Sequence, residues 1–109
     1  MSAPLPGRPV RGSTNGRPIM ALLDLLGRRW ALRILWELHD EALGFRALQA
    51  RCDGMSPSVL SQRLAELTEA GIVAQGEGQA YELTARGRGL HEALAPLNQW
   101  AAHWDRQVQ

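Results

Sequence analysis

The chain has 109 residues, the length of one domain with a single core and without a separate catalytic lobe. Hydrophobic residues make up 45% of it and charged residues 21%, which excludes a disordered or fibrous protein and indicates a globular one. No apolar run reaches the roughly 18 to 20 residues of a membrane span, and the N-terminus lacks the apolar core of a signal peptide. We therefore expect a cytoplasmic protein that does not bind membranes.

The charge distribution and the cysteine content further limit the kinds of protein and of site that the chain can form. The formal net charge is only +1, but six of the 12 basic residues, all of them arginine, fall between residues 1 and 33, where Asp24 is the only acid. The single cysteine, Cys52, rules out an internal disulfide and a cysteine-based zinc site. We expect no metal and no cofactor, so packing alone must stabilise the fold.

The N-terminal third predicts a tail followed by two helices. Residues 1–17 hold three prolines, three glycines and three arginines with almost no large apolar side chain, which predicts a flexible basic tail. Pro18 suits the first turn of a helix that Gly27 interrupts. The second helix ends near Asp40 and presents one apolar face, which predicts a core helix. That face carries Trp30, Ile34, Leu35 and Leu38.

The middle of the chain predicts a helix-turn-helix over residues 44–70. Gly44 opens a short third helix with Phe45, Leu48 and Cys52 on one side, and residues 53–54 form a turn. The Ser56-Pro57 step is a strong start for a fourth helix, which runs to about residue 70 before a glycine.

A hairpin and a last helical segment complete the chain. Alternation over residues 72–83 around a Gly-Glu-Gly turn predicts a two-stranded wing. Thr84 can cap a C-terminal helix over residues 85–107, in which Pro96 either introduces a kink or divides the helix. We expect a kink because the periodicity continues past the proline. The fold class is mainly α with a small β-hairpin (α+β), and this element order is that of a winged helix-turn-helix.

Three segments resemble the HxlR family of transcriptional regulators over residues 18 to about 105. These segments are "LDLLGRRWALRILWEL", "GFRALQARCDGMSPSVLSQRLAELTEAGIV" and "YELTARGRGL". The most distinctive part is a Ser-Pro-x-x-Leu-Ser-x-Arg-Leu pattern that begins at Ser56. The resemblance implies a bacterial-type regulator that forms a homodimer through N- and C-terminal dimerisation helices. The homodimer is expected to bind double-stranded DNA at an inverted-repeat operator.

Helical geometry divides the fourth helix into an apolar face and a polar face. Small polar groups near its N-terminus suit base readout in the major groove, and Gln62 is the best candidate. We expect Arg63, on the flank, to contact a phosphate rather than a guanine, and Ser56 with the helix N-terminus to bind another phosphate. The predicted DNA-binding residues on this helix are Ser56, Pro57, Ser58, Ser61, Gln62 and Arg63.

Two further regions bear on DNA contact. Arg86 and Arg88 follow the hairpin and are candidates for contacts to the flanking backbone. The wing has the acidic residue Glu77 at its tip, whereas the family often places an arginine there, so we do not expect it to enter the minor groove. Arg8, Arg11 and Arg17 of the tail could supply that contact, although a solvated tail is the favoured interpretation.

Apolar residues on the first and last helices predict the dimer interface, because the resemblance implies dimerisation through these helices. Trp30 and Trp36 are expected in the monomer core instead. The predicted interface residues are Ile19, Leu22, Leu23, Leu26, Leu94, Leu97, Trp100 and Trp104.

The resemblance also bears on regulation. Many family members carry a Cys-Pro step, and in some of them the cysteine senses oxidants or electrophiles. Here Arg17 precedes Pro18, and Cys52 is better explained as a small core residue than as a sensor. Control by an unidentified small-molecule effector, bound in a pocket between the dimer helices and the DNA-binding domain, is a further alternative.

Other classes fit less well. His39, His91 and His103 are isolated and accompany no nucleophile, ligand cluster or phosphate-binding glycine loop, so we expect no enzyme. A winged helix used only for protein contacts would bind no DNA at low salt. Metal-sensing ArsR regulators are disfavoured by the lack of paired cysteines. MarR regulators are disfavoured by the compact length of the chain, because their dimerisation helices are usually longer.

Overall fold

A computed structural model describes residues 3–7 and 17–108 and shows a mainly helical chain with one antiparallel hairpin. No helix in these ranges is both long enough and apolar enough to span a bilayer. In chain order the elements are α1 (Pro18–Leu26), α2 (Ala31–Leu38), α3 (Phe45–Arg51), α4 (Pro57–Glu69), β1 (Val73–Gln75), a 3-10 turn (Glu77–Gln79), β2 (Tyr81–Leu83), α5 (Ala85–Leu94) and α6 (Pro96–Val108).

The helix boundaries follow local chemistry. Pro18 stands at the start of α1. The Ser56 hydroxyl oxygen accepts a hydrogen bond from the Val59 N–H at 3.2 Å, and that of Thr84 accepts from the Gly87 N–H at 3.0 Å, so each satisfies a donor that the helix leaves unpaired. Gly71 ends α4 with φ of +78°, a left-handed conformation that glycine adopts without steric cost. These predicted caps are confirmed.

One core joins the first five helices to the hairpin. Its members are aliphatic side chains at helical or alternating spacing, and burial of each is worth roughly 1.5 to 3 kcal/mol. The central members are Leu25, Ile34, Leu35, Leu38, Leu48, Leu60, Leu64, Leu67, Val73 and Leu83. Cys52 is fully buried among them, as predicted.

The hairpin is attached to the helix-turn-helix by one isolated β-bridge. β1 and β2 pair with Val73 opposite Leu83 and Gln75 opposite Tyr81. Leu43 and Tyr81 then exchange backbone hydrogen bonds of 3.0 and 2.8 Å. Leu43, two residues before α3, is thereby fixed to the wing, a contact that the sequence does not predict.

The C-terminal segment is two helices instead of the expected single kinked helix over residues 85–107. α5 ends at Leu94 and α6 begins at Pro96. Proline has no N–H to bond to the preceding turn, and its ring crowds that turn, so the helix is interrupted at Ala95.

The N-terminal segment also differs from the prediction of a flexible tail over residues 1–17. Ala3 and Pro4 are buried, and Leu5 packs against the core. The Ala3 N–H donates to the carboxylate of Glu69 at 3.3 Å. A few apolar side chains thus suffice to attach residues 3–7 to the domain. The predicted contacts of Arg8 and Arg11 lie outside the described residues.

The prediction that Trp36 fills the core is wrong, because its side chain is 47% exposed. On α2 it points away from Ile34 and lies beside the rings of His39 and His91, at centroid distances of 4.7 and 6.2 Å. Trp30 is half-buried and does pack against the core.

Candidate nucleic-acid interface

The outer face of α4 presents small polar groups near the helix N-terminus. Ser58, Ser61 and Gln62 are all exposed, and Ala65 continues the same stripe. Within the described residues, no side-chain hydrogen bond occupies the amide of Gln62, which leaves its donor and acceptor available to a base edge. Glu69 ends the stripe with a negative charge. The N-terminal half of α4 is therefore the part suited to a DNA groove.

Arg63 is placed differently from the sequence prediction. Its Nε donates to the backbone oxygen of Arg29 at 2.9 Å, and its Nη1 lies 2.9 Å from Oε1 of Glu66. The side chain is only 16% exposed. The geometry does not support a phosphate contact by this guanidinium, because a base-edge or phosphate ligand would have to replace contacts that hold α4 to the rest of the chain.

Glu66 was not singled out in the sequence, yet it is the buried charged residue at the centre of this arrangement. Its side chain is 2% exposed, and its second oxygen, Oε2, lies 2.7 Å from Nη1 of Arg28. Arg28 in turn lies 3.5 Å from Asp24. The signal available in the sequence was weak: Glu66 adjoins the core position Leu67, but a helical glutamate is normally exposed.

Arg86 and Arg88 are exposed at the start of α5 but are not brought to the N-terminus of α4. A β-carbon added to Gly71 would lie 2.5 Å from Nη1 of Arg86, so Arg86 packs beside the C-terminal end of α4. At 1.5 Å per residue, this end is about 18 to 20 Å from Ser58. Arg86 therefore does not share one surface with Gln62.

The wing carries no basic residue over positions 73–83. Its exposed tip is closed by hydrogen bonds of 2.9 Å from the Gln75 amide to the backbone and side-chain oxygens of Gln79. Glu77 and Glu82 are both exposed. The negative charge makes this hairpin a poor phosphate ligand.

Arginines elsewhere in the helix-turn-helix differ in their partners. Arg51 bonds Glu41 through a 2.7 Å contact and lies 3.7 Å from Glu37, and the Glu41 hydrogen bond raises the pKa of Arg51 above its ordinary value. Arg46 is exposed on α3, and no ion pair with another described residue engages it. Arg46 is not among the DNA-binding residues that the sequence predicted.

The buried thiol of Cys52 is unsuited to sensing. Its side chain has no exposed surface, and burial raises the pKa of the thiol above its ordinary value, which lowers the fraction of reactive thiolate at neutral pH. The structure therefore favours the core role that the sequence predicted.

Apolar surface is concentrated on α1, α2 and α6. Of the predicted interface residues, Leu22, Leu26 and Leu94 are half-buried in their own domain, whereas the others are exposed. The structure adds Leu32 and Trp36 from α2, which line an apolar cleft of about 370 Å³ against α5 and α6. The large apolar side chains that are 47–62% exposed are Ile19, Leu23, Leu32, Trp36, Leu97, Trp100, Trp104 and Val108.

Known proteins are similar to this chain both in sequence and in fold. The family model described as HxlR-like helix-turn-helix matches residues 25–109. The HTH-type transcriptional regulator YvaP of Bacillus subtilis is 31% identical over 88 residues, which cover 75% of this chain and 82% of YvaP.

Two solved structures are also similar. The quinone-bound form of YodB from B. subtilis superposes with a TM-score of 0.72 and 28% identity, covering 78% of this chain and 96% of YodB. A chain from Thermoplasma volcanium, described as a possible HxlR family transcriptional factor, gives a TM-score of 0.69 and 30% identity over 78% of this chain and 82% of its own. The protein therefore belongs to the HxlR-like helix-turn-helix family and is a transcriptional regulator with a DNA-binding winged helix-turn-helix fold.

Proposed function

We propose that the protein binds an inverted-repeat operator as a homodimer, with the N-terminal half of α4 in the major groove. The observation that carries this proposal is the exposed stripe of Ser58, Ser61 and Gln62 on a helix capped by Ser56. In helix-turn-helix proteins the second helix reads bases with its N-terminal residues. Gln62 can pair with adenine through two hydrogen bonds, and the serines can contact bases or phosphates.

Of the two phosphate contacts that the sequence predicts, the one at the N-terminus of α4 is kept and the one by Arg63 is replaced by Arg46. The first helix of a helix-turn-helix crosses the DNA backbone, so Arg46 on α3 is well placed to bind a phosphate. Ser56 and Pro57 position the N-terminus of α4, where free N–H groups and the helix dipole favour a second phosphate. Arg86 and Arg88, at the start of α5, are given no phosphate contact in this arrangement.

The dimer is proposed to form through the exposed apolar faces of α1 and α6. A contiguous set of tryptophan and leucine side chains is typical of an interface. Two copies related by a two-fold axis would each read one half-site, which explains why the operator should be an inverted repeat. The effector stays a prediction without an identified ligand, although the cleft beside Trp36 has the volume of a small-molecule site.

Selection from a random pool of double-stranded DNA tests the proposal. We expect enrichment of an inverted repeat whose half-sites are separated by about one helical turn. Recovery of a single half-site would contradict the dimer, and failure to bind DNA at low salt would favour a winged helix that contacts only proteins.

A pair of variants tests the role of α4 on the selected operator. Gln62→Ala should relax the base preference at one position of each half-site, at about 1 to 3 kcal/mol of discrimination per contact. Thr68→Ala, exposed on the C-terminal half of the same helix, is the matched control and should retain the preference. An unchanged motif with Gln62→Ala would exclude Gln62 from base readout.

A further inference from the structure

The carboxylate of Glu66 is held between two arginines in the interior. Oε2 lies 2.7 Å from Nη1 of Arg28 and Oε1 lies 2.9 Å from Nη1 of Arg63. Burial of an unpaired carboxylate is strongly unfavourable, so these contacts are required for the charge to remain at a side chain that is 2% exposed. We refer to Asp24, Arg28, Arg63 and Glu66 as the Glu66 network.

The network connects α4 to a different part of the chain. Arg28 belongs to the turn between α1 and α2, and it lies 3.5 Å from Asp24 on α1. Arg63 also donates from Nε to the backbone oxygen of Arg29, in the same turn. Two polar contacts thus attach the middle of α4 to the α1–α2 turn: the Glu66–Arg28 ion pair and the bond from Arg63 to the Arg29 oxygen.

These hydrogen bonds restrict the rotation of α4 about its own axis, which apolar packing alone leaves adjustable. Leu60, Leu64 and Leu67 hold α4 against the core, but hydrophobic burial has no preferred direction and permits small rotations about the helix axis. Hydrogen bonds weaken steeply away from their preferred angles. The two contacts that cross to the α1–α2 turn, Glu66–Arg28 and Arg63–Arg29, therefore restrict rotation of α4 in a way that its leucines do not.

We propose that Glu66 is a positioning residue for DNA recognition: the Glu66 network sets the rotation of α4 relative to α1, and so the direction in which Gln62 points. Gln62 lies one turn before Glu66 and next to Arg63, so a rotation at the network moves its amide. α1 also carries Ile19 and Leu23 of the proposed dimer surface, which makes the network the polar link between the dimer helix and the reading helix. This inference rests on the proposed function of α4.

The test compares specific with non-specific binding by Glu66→Gln. Glutamine keeps the shape of the side chain and one acceptor oxygen but removes the charge that pairs both arginines. We expect affinity for the selected operator to fall about tenfold, as for loss of a base contact, while affinity for random-sequence DNA of the same length changes less than about twofold. Fluorescence anisotropy at one fixed salt concentration measures both affinities, with circular dichroism to establish that the variant is folded.

A purely structural role gives a different result. If Glu66 only stabilised the fold, specific and non-specific binding would fall together with the folded fraction, and the ratio of the two affinities would stay at its wild-type value. A folded Glu66→Gln protein with the wild-type ratio would overturn the proposal.

A second variant keeps the test decisive if Glu66→Gln does not fold. Arg63→Lys leaves Glu66 paired with Arg28 and retains the positive charge, but a lysine cannot bond Glu66 and the Arg29 oxygen with one rigid fork. We expect the same loss of the affinity ratio. An unchanged ratio for this variant would equally reject the positioning role.

Gln62→Ala in the same titrations separates this inference from the proposed function. If Gln62→Ala lowers the affinity ratio and both network variants leave it unchanged, the positioning role fails while base readout by α4 stands. If the wild-type protein itself shows no preference for any operator, the proposed function fails.

Discussion

At the scale of single residues, the arginines show that charge alone does not identify a DNA contact. Arg63 matches the family pattern, yet both of its contacts are internal. Arg51 is paired with Glu41 on the surface. Of the three arginines between positions 44 and 70, Arg46 is the one that exposes its guanidinium without an ion pair to another described residue, so it is the group to test.

We expect Arg46→Gln to weaken binding to operator and random DNA by similar factors, because a phosphate contact carries no base information. Each phosphate contact contributes about 0.9 to the slope of log affinity against log salt concentration, so a dimer that loses two contacts should lose about two from that slope. Titrations at a series of salt concentrations measure this slope.

Arg88→Gln is the matched control for this prediction, since Arg88 is also exposed but lies at the start of α5. We expect it to leave the slope near the wild-type value. A slope that responds to Arg88→Gln and not to Arg46→Gln would move the backbone contact from α3 to the base of the wing.

The residues that the sequence placed correctly are those whose environment is set by near neighbours in the chain. Ser56 and Thr84 each accept from an N–H three residues later, at the start of the helix that they cap. Gln62 is exposed because helical periodicity puts it opposite Leu60 and Leu64. Glu66 could not be placed in this way. Its burial depends on Arg28, 38 residues distant, and only the packing of α4 on the α1–α2 turn brings the two together.

At the scale of elements, the boundaries of α1 to α4 follow from proline, serine and glycine signals, whereas the C-terminal helices depend on packing. Periodicity continues through Pro96 and predicts one kinked helix, but the structure contains two. The apolar spacing is shared by both arrangements, so the sequence pattern could not distinguish them. The attachment of residues 3–7 was missed because it depends on a distant surface that includes Glu69.

Gly87 provides a prediction about how α5 packs on the hairpin. A β-carbon there would lie 2.2 Å from the backbone oxygen of Ile72 and 3.2 Å from the β-carbon of Leu83. Gly87→Ala therefore requires the helix to move away from β1 and β2, and we expect it to lower the free energy of unfolding by about 1 to 3 kcal/mol. Urea denaturation followed by circular dichroism measures the change.

Gly89→Ala, in the same helix, is the control for close packing. No atom lies within 4 Å of a β-carbon at this position, so the higher helix propensity of alanine should raise the free energy of unfolding by up to about 1 kcal/mol. If both variants were stabilising, the close approach of Gly87 to Ile72 would be refuted.

At the scale of the whole molecule, eight large apolar side chains are exposed on the described part of the chain. They lie on α1, α2 and α6, and none of them belongs to α4. On α6 the rings of Trp100 and Trp104 stack at a centroid distance of 5.9 Å, and Leu97 and Val108 lie on the same face. A second copy could therefore pack on this apolar face without covering Ser58, Ser61 and Gln62 of α4.

We expect Trp104→Glu to convert the protein from a dimer to a monomer, because two buried carboxylates would replace the apolar contact across the two-fold axis. The substituted residue is 52% exposed in one copy, so the monomer should remain folded. Sedimentation velocity at micromolar concentration measures the association state. Gln99→Glu introduces the same charge on the opposite face of α6 and should stay dimeric. A monomeric wild-type protein, or a dimeric Trp104→Glu variant, would reject this face as the interface. If the Trp104→Glu variant is monomeric and binds a half-site only weakly, affinity for the full operator requires both copies of α4.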